Sequence, residues 1–277
     1  MRLGGPCNSK DSPESWVAEL KRLGYRAAIF PFKHDADRET SHAFAKAAEE
    51  ADILLAEVGA WSNPMSPDDN ERKQAISFCQ EQLALADEIG ARCCVNIAGS
   101  RGHRWDGPHP ENLSQDMFAL IVETTQQIID AVKPKRSFYC LESMPWVFPD
   151  SPESYLDLLK AIDRPACSVH FDPVNMISSP QRYFRNADFL RECFRLLGPQ
   201  IKSCHAKDIK LQKELTVHLD EVRPGQGFLD YEVFLNELNK LDPDTPLIIE
   251  HLPNDEEYRL AAEHIRDVAK RLTIPGV

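Results

Sequence analysis

The sequence predicts a single α/β domain, residues 1–277, folded as a closed (β/α)8 TIM barrel. Eight short apolar runs alternate with longer segments of helical period along the whole chain. Such alternation implies parallel strands joined by helical crossovers. No Gly-x-Gly-x-x-Gly or Walker loop follows an early strand, which disfavours the open, doubly wound sheet as the alternative. The length, 277 residues with 42% hydrophobic content, suits one large core, and no linker interrupts it.

In chain order, strands are expected near 2–5 (RLGG), 26–31 (RAAIFP), 52–58 (DILLAEV) and 92–98 (RCCVNIA). The second four are expected near 137–142 (SFYCLE), 167–172 (CSVHFD), 201–206 (IKSCHA) and 246–250 (PLIIE). Helices are expected near 12–23, 38–50, 68–89, 113–132, 151–162, 183–197, 229–240 and 255–271. DSPESW (11–16) and DSPESY (150–155) are near-identical helix starts. In each a Ser can cap, a Pro can take the first helical position and a Glu favours the positive end of the helix. Gly24, Gly90 and Gly198 fall near helix ends, where a left-handed residue is expected. Segments 60–68, 99–112 and 207–228 read as long loops between strand and helix.

The formal charge of −12 is poorly suited to nucleic acid, so no nucleic-acid partner is expected. No apolar run approaches the roughly 18 residues of a membrane span, and the first residues lack the apolar segment of a signal peptide. Of eight cysteines, Cys93, Cys94, Cys140, Cys167 and Cys204 sit within apolar strand-like runs, where a free thiol behaves as a small hydrophobe. No Cys-x-x-Cys pair is present, so a zinc–cysteine site is not expected. These features point to a reduced, cytoplasmic protein.

Functional groups of such a barrel lie where strands end and the following loops begin. The last four strands end on Glu142, Asp172, His205 and Glu250. Side chains alternate, so Phe138, Cys140 and Glu142 should share one face, as should Ile201, Ser203 and His205. One such residue alone is commonly a solvated loop group or a cap; four on consecutive strands are harder to dismiss. Three carboxylates gathered at one rim would repel and raise one another's pKa, and a divalent cation resolves that conflict. Oxygen-rich ligands with one imidazole suit one Mn²⁺, Mg²⁺ or Co²⁺, with Zn²⁺ disfavoured.

The motifs LESMP (141–145), HFDPVN (170–175), CHAKD (204–208), PGQG (224–227) and IIEHL (248–252) resemble those of the xylose isomerase-like TIM barrels, the sugar phosphate isomerase/epimerase superfamily. The resemblance covers most of the chain and is most specific in its second half. It implies that Glu142, Asp172, His205 and Glu250 are metal ligands. It also implies a sugar isomerase or epimerase acting on a keto-sugar or sugar phosphate through a metal-stabilised enediolate. Glu142 and Glu250 would then be the catalytic acid/base pair. The same start opens the way to a lyase, an inosose dehydratase-like or keto-glycoside-cleaving enzyme. Endonuclease IV, also of this superfamily, needs more histidines at strand ends for three zincs than this chain supplies. Barrels of this family often pair, so a homo-oligomer is compatible with the sequence.

Substrate-binding candidates follow. Asn175 stands three residues after Asp172, where ketohexose 3-epimerases usually carry a His, and Leu211 replaces their usual Arg. Lys207, Lys210 or Arg223 is expected to supply a positive group for an anionic substrate. Glu57 and Asn96, near the ends of the third and fourth strands, are expected to bind sugar hydroxyls. Trp146 is the best placed of the rim aromatics to stack on a sugar face; Trp61, His103, Trp105 and His109 also sit in rim loops. His170, one layer deeper than Asp172, is expected to orient a ligand carboxylate. PGQG offers backbone N–H groups to an anion.

Overall fold

The computed structural model describes residues 1–277. The two near-identical helix starts show how local sequence sets the frame. Ser12 Oγ accepts from the Ser15 amide at 3.2 Å while Ser15 Oγ accepts from the Ser12 amide at 3.1 Å, a reciprocal capping box. Ser151 and Ser154 repeat it. Pro13 and Pro152 follow as first helical residues, where a missing N–H costs nothing.

The helices are α1 Pro13–Leu23, α2 Arg38–Glu50, α3 Asp69–Ile89, α4 Gln115–Val132, α5 Pro152–Ile162, α6 Pro173–Met176, α7 Pro180–Phe184, α8 Asn186–Leu197, α9 Tyr231–Leu238 and α10 Asp255–Arg271. The strands are β1 Arg2–Gly5, β2 Ala27–Ile29, β3 Leu54–Gly59, β4 Cys93–Asn96, β5 Phe138–Glu142, β6 Cys167–Phe171, β7 Ile201–Ala206, β8 Asp208–Leu211, β9 Leu219–Val222 and β10 Pro246–Ile249. Eight of them close a parallel barrel in the order β1-β2-β3-β4-β5-β6-β7-β10. Every expected strand and helix has a counterpart, its ends within three residues of the expected bounds, although one helix is divided.

Three expectations change. The segment 207–228 is not an open loop, because β8 and β9 pair as an antiparallel hairpin with Ile209 opposite Glu221. The helix expected over 183–197 is broken at Arg185 into α7 and α8, each with its own start. Gly24 and Gly90 are left-handed at φ 70° and 74°, but Gly198 is not. At φ −43° it continues right-handed into a 3₁₀ turn, Gly198–Gln200, that leads straight into β7, so no left-handed residue is needed there.

Alternation divides each strand between the barrel interior and the helical layer. Ala27, Ala56 and Ile248 form one interior cluster, and Cys93, Val95 and Cys140 another. The opposite faces join a cluster of 61 buried residues under the helices. The interior is narrow at β1: a Cβ on Gly4 would lie 2.4 Å from the Ala27 carbonyl oxygen and 2.7 Å from Ile248 Cδ1. Register slips between Val169 and His170, so Val169 faces Ile201 but His170 faces Ser203. Ile201 therefore joins the helical-layer cluster instead of sharing a face with Ser203 and His205. Lys202 is left over the Phe138 ring, 4.6 Å from its centroid. All eight cysteines are free, and seven are buried. No helix is long and apolar enough to cross a membrane.

Candidate metal centre and active-site cavity

Four strand ends deliver the expected polar set to one place. Glu142 is the last residue of β5, Asp172 caps α6 directly after β6, His205 is in β7, and Glu250 follows β10. One ligand atom from each lies within 4.8 Å of all the others. His205 Nδ1 is 2.8 Å from Glu250 Oε1, 3.1 Å from Glu142 Oε1 and 3.7 Å from Asp172 Oδ2. Asp172 Oδ1 is occupied as the helix cap, accepting from the Val174 and Asn175 amides at 3.0 and 3.1 Å. That turns Oδ2 toward the other three side chains.

Lys207 lies inside this cluster, not at the rim. It is buried, with Nζ 2.6 Å from Glu250 Oε1, 2.8 Å from Asp172 Oδ2 and 3.7 Å from Glu142 Oε1. Mutual repulsion does not dominate, contrary to the expectation from the carboxylates alone. Burial pushes Asp172 upward, but Lys207 and His205 outweigh it and hold the carboxyl well below its usual range. Glu250 is likewise raised by burial, yet His205 and Lys207 bring it down to about 2. Burial lowers His205 and Lys207, and the surrounding carboxylates reverse that and raise both. The chain's own cations thus keep the carboxylates ionised.

Those cations leave two of the carboxylate oxygens without a hydrogen bond. Asp172 Oδ2 and Glu250 Oε1 are buried without a hydrogen-bond partner, although Lys207 Nζ is close to both and His205 Nδ1 is 2.8 Å from Glu250 Oε1. Two orphaned anionic oxygens, a third carboxylate and one imidazole nitrogen fit a hard divalent cation. The residues able to hold it are Glu142, Asp172, His205 and Glu250.

The cluster floors a cavity of about 540 Å³. Asn175 reaches it and donates from Nδ2 to Glu142 Oε1 at 3.2 Å. Trp146 lines it with Trp61 and Trp105, and its indole N–H donates to the Asp106 carbonyl at 2.9 Å, tying two rim loops together. Glu57 also borders the cavity but is only 1% exposed, its carboxylate turned to His170 Nε2 at 2.9 Å, the Ser203 hydroxyl and His205 Nε2 at 3.5 Å. His170 accordingly orients Glu57 and not a ligand carboxylate, and packs edge-on against His205 with ring centroids 4.1 Å apart.

Two sequence candidates lie elsewhere. Asn96 points away from the interior into the helical layer, exchanging contacts with Ser62 and donating to Cys79 Sγ at 3.4 Å. It sits one residue out of step with the inward-facing Val95. Arg223 ends the β8–β9 hairpin and is held by Glu257 of α10 at 2.8 Å, off the cavity. His109 is spent on a 3₁₀ turn, accepting from the Glu111 amide. PGQG offers nothing to an anion, because the Gly225 and Gly227 amides donate to Asp208 Oδ2 at 2.9 and 3.0 Å. The Ile209 and Leu229 amides donate to Oδ1 of the same carboxylate.

Sequence reasoning missed Glu221 and His251, which face each other across the cavity wall at 3.2 Å. His251 has φ 58°, a left-handed conformation that is uncommon for a non-glycine and turns the ring to the cavity. Its position next to Glu250 was the available signal. Glu221 had none, because it depends on the unrecognised hairpin.

A family model described as a xylose isomerase-like TIM barrel matches residues 17–268. No curated protein matches the sequence significantly. Among solved structures, the probable 3-DHS dehydratase AsbF from Bacillus anthracis superposes with a TM-score of 0.73 at 16% identity, over 97% of this chain and 98% of that one. D-psicose 3-epimerase from Clostridium cellulolyticum H10 gives 0.70 at 13% identity, over 98% and 99%. A xylose isomerase-like TIM barrel protein from Mycobacterium smegmatis, solved in complex with magnesium, gives 0.68 at 14%, over 97% and 92%. At these identities the likeness is one of fold.

Proposed function

Because the chain belongs to the xylose isomerase-like TIM barrel family, we propose that it is a divalent-metal-dependent isomerase or epimerase of a sugar, a keto-sugar or a sugar phosphate. The observation that carries this reading is the convergence of Glu142, Asp172, His205 and Glu250 within 4.8 Å, with two buried carboxylate oxygens lacking donors, beneath a cavity of about 540 Å³. A bound Mg²⁺ or Mn²⁺ would supply Lewis acidity, polarising a substrate carbonyl and easing the loss of a neighbouring proton.

The chain's own groups supply the rest. Glu142 and Glu250 border the cavity, and Glu250 is kept ionised, as a base must be. One of them takes the proton α to the carbonyl; the other, or the same one, returns it. Asp172 and His205 hold position, each fixed by contacts away from the cavity. Asn175 restrains Glu142 through its amide. The tryptophans at the rim offer flat apolar faces to the C–H surface of a sugar and keep bulk water away.

The test is solvent exchange. With Mg²⁺ or Mn²⁺ present, ketoses and keto-sugars incubated in D₂O should gain deuterium at the carbon next to the carbonyl with the skeleton retained. Glu142→Gln and Glu250→Gln should abolish the exchange while the fold persists. Loss of water or of an aglycone after exchange would replace the isomerase reading with a lyase. Absence of metal binding would remove both.

A further inference from the structure

We propose that Glu57 is a positioning residue: it fixes the tautomer and ring orientation of His205 so that Nδ1, not Nε2, is the nitrogen offered to a cation. This inference rests on the metal-dependent reading above. Glu57 comes from β3, and β7, which carries His205, lies four strands away in either direction around the eight-stranded ring. The side chain therefore reaches across the interior from the half of the barrel that supplies none of the four ligands.

The two nitrogens of His205 see different surroundings. Nδ1 faces carboxylate oxygens of Glu250, Glu142 and Asp172 at 2.8 to 3.7 Å. Nε2 faces one carboxylate, Glu57, at 3.5 Å. A neutral imidazole has one N–H, and a metal needs the bare nitrogen. A proton kept on Nε2 requires an acceptor there, and the carboxylate oxygen facing it is Glu57 Oε2, at 3.5 Å. A carboxylate behind a ligating imidazole also makes the ligand a stronger donor.

Glu57 is itself held. Its Oε1 takes a hydrogen bond from the Ser203 hydroxyl and lies 2.9 Å from His170 Nε2. Ser203 stands two residues before His205 on the same strand face, and His170 lies edge-on against the His205 ring. Two groups thus fix one carboxylate, and that carboxylate fixes one imidazole. With both oxygens engaged and 1% exposure, Glu57 has little left for a sugar hydroxyl.

The experiment uses the full chain, titrated with Mg²⁺ and Mn²⁺ by calorimetry. The His205 tautomer is read separately by long-range ¹⁵N–¹H correlation on the Mg²⁺-loaded protein. Glu57→Gln keeps the shape but can turn an NH₂ toward Nε2, favouring the wrong tautomer. The expected result is a wild-type proton on Nε2 and a metal affinity about 10- to 100-fold weaker in Glu57→Gln. His170→Gln retains a donor to Glu57 and should weaken metal binding much less than Glu57→Gln. If Glu57→Gln does not fold, Ser203→Ala removes a single restraint, and a mixed His205 tautomer is expected in it.

Three results overturn the proposal. They are a proton on Nδ1 of loaded wild type, unchanged metal affinity in Glu57→Gln, and two bound ions per chain. The last makes Glu57, His170 and His205 a second metal site. A wild type that binds no metal fails the functional reading itself and is recognised before any variant is made.

Discussion

Lys207→Met removes the one ammonium buried among the carboxylates and keeps a side chain of similar length. Nζ is 2.6 Å from Glu250 Oε1 and 2.8 Å from Asp172 Oδ2. At an effective dielectric near 20, each contact corresponds to about 6 kcal/mol of attraction before desolvation. Burial of the ammonium opposes most of it, and breaking a buried pair from one side typically costs about 3–5 kcal/mol because the carboxylates stay buried. For a chain of this size that is a fall in Tm of roughly 6–10 °C in metal-free protein. A divalent cation should restore much of the loss, because it neutralises the same oxygens without competing against Lys207. The assay is paired thermal melts and Mg²⁺ titration of wild type and variant. Metal affinity should rise at least about tenfold in Lys207→Met, and the metal-induced rise in Tm should be larger than in wild type. Equal Tm values without metal, or an unchanged metal response, would refute the claim that Lys207 shares its carboxylates with the cation site.

Other expectations follow from single contacts. In metal-free protein, Glu250 falls from 4.5 to about 2 on folding, so its stabilisation is present above pH 4.5 and is lost as pH drops toward 2. Denaturant melts should show on the order of 3 kcal/mol lost across that window, and Glu250→Gln should flatten the slope. Asp208→Ala strips four backbone amides of a buried carboxylate acceptor, and should cost roughly 2–4 kcal/mol in denaturant titrations while loosening the PGQG turn toward protease. Gly4→Ala should lower stability by about 1–3 kcal/mol with no change in metal affinity, since the added methyl would meet the Ala27 carbonyl 2.4 Å away.

The barrel was legible because its signals are periodic and local. Apolar runs mark strands, Ser-Pro-Glu marks helix starts, and polar residues at Glu142, Asp172, His205 and Glu250 stand out against the runs they end. What escaped depends on pairing across distance or on a shift of one residue. The β8–β9 hairpin has four residues a side and partly exposed faces, so its alternation is too short to read. Asn96 looks like a rim residue until the register of β4 is known, and one step separates the cavity from the helical layer. Ile201 was misassigned by a slip in pairing that leaves no mark in the sequence. Lys207 was legible as a residue of interest but not as a buried partner of Asp172 and Glu250, because that contact joins three strand ends. Glu57 seemed a sugar ligand because nothing in a linear reading reveals that His170, Ser203 and His205 already surround it.

The four residues able to hold a cation all come from consecutive strands of one arc of the barrel, β5, β6, β7 and β10. A cation gripping them would act as a staple on that arc and leave β1, β2, β3 and β4 free of it. Cooperative units open separately when their bracing differs, and the less braced one opens first. The two halves would then carry unequal protection: the half holding the cation would be the slow-exchanging foldon, and sub-global opening would begin at the three-residue β2 and its neighbours. Glu57 then has a second character, as the one central side chain that would have to let go of His205 for that opening to spread.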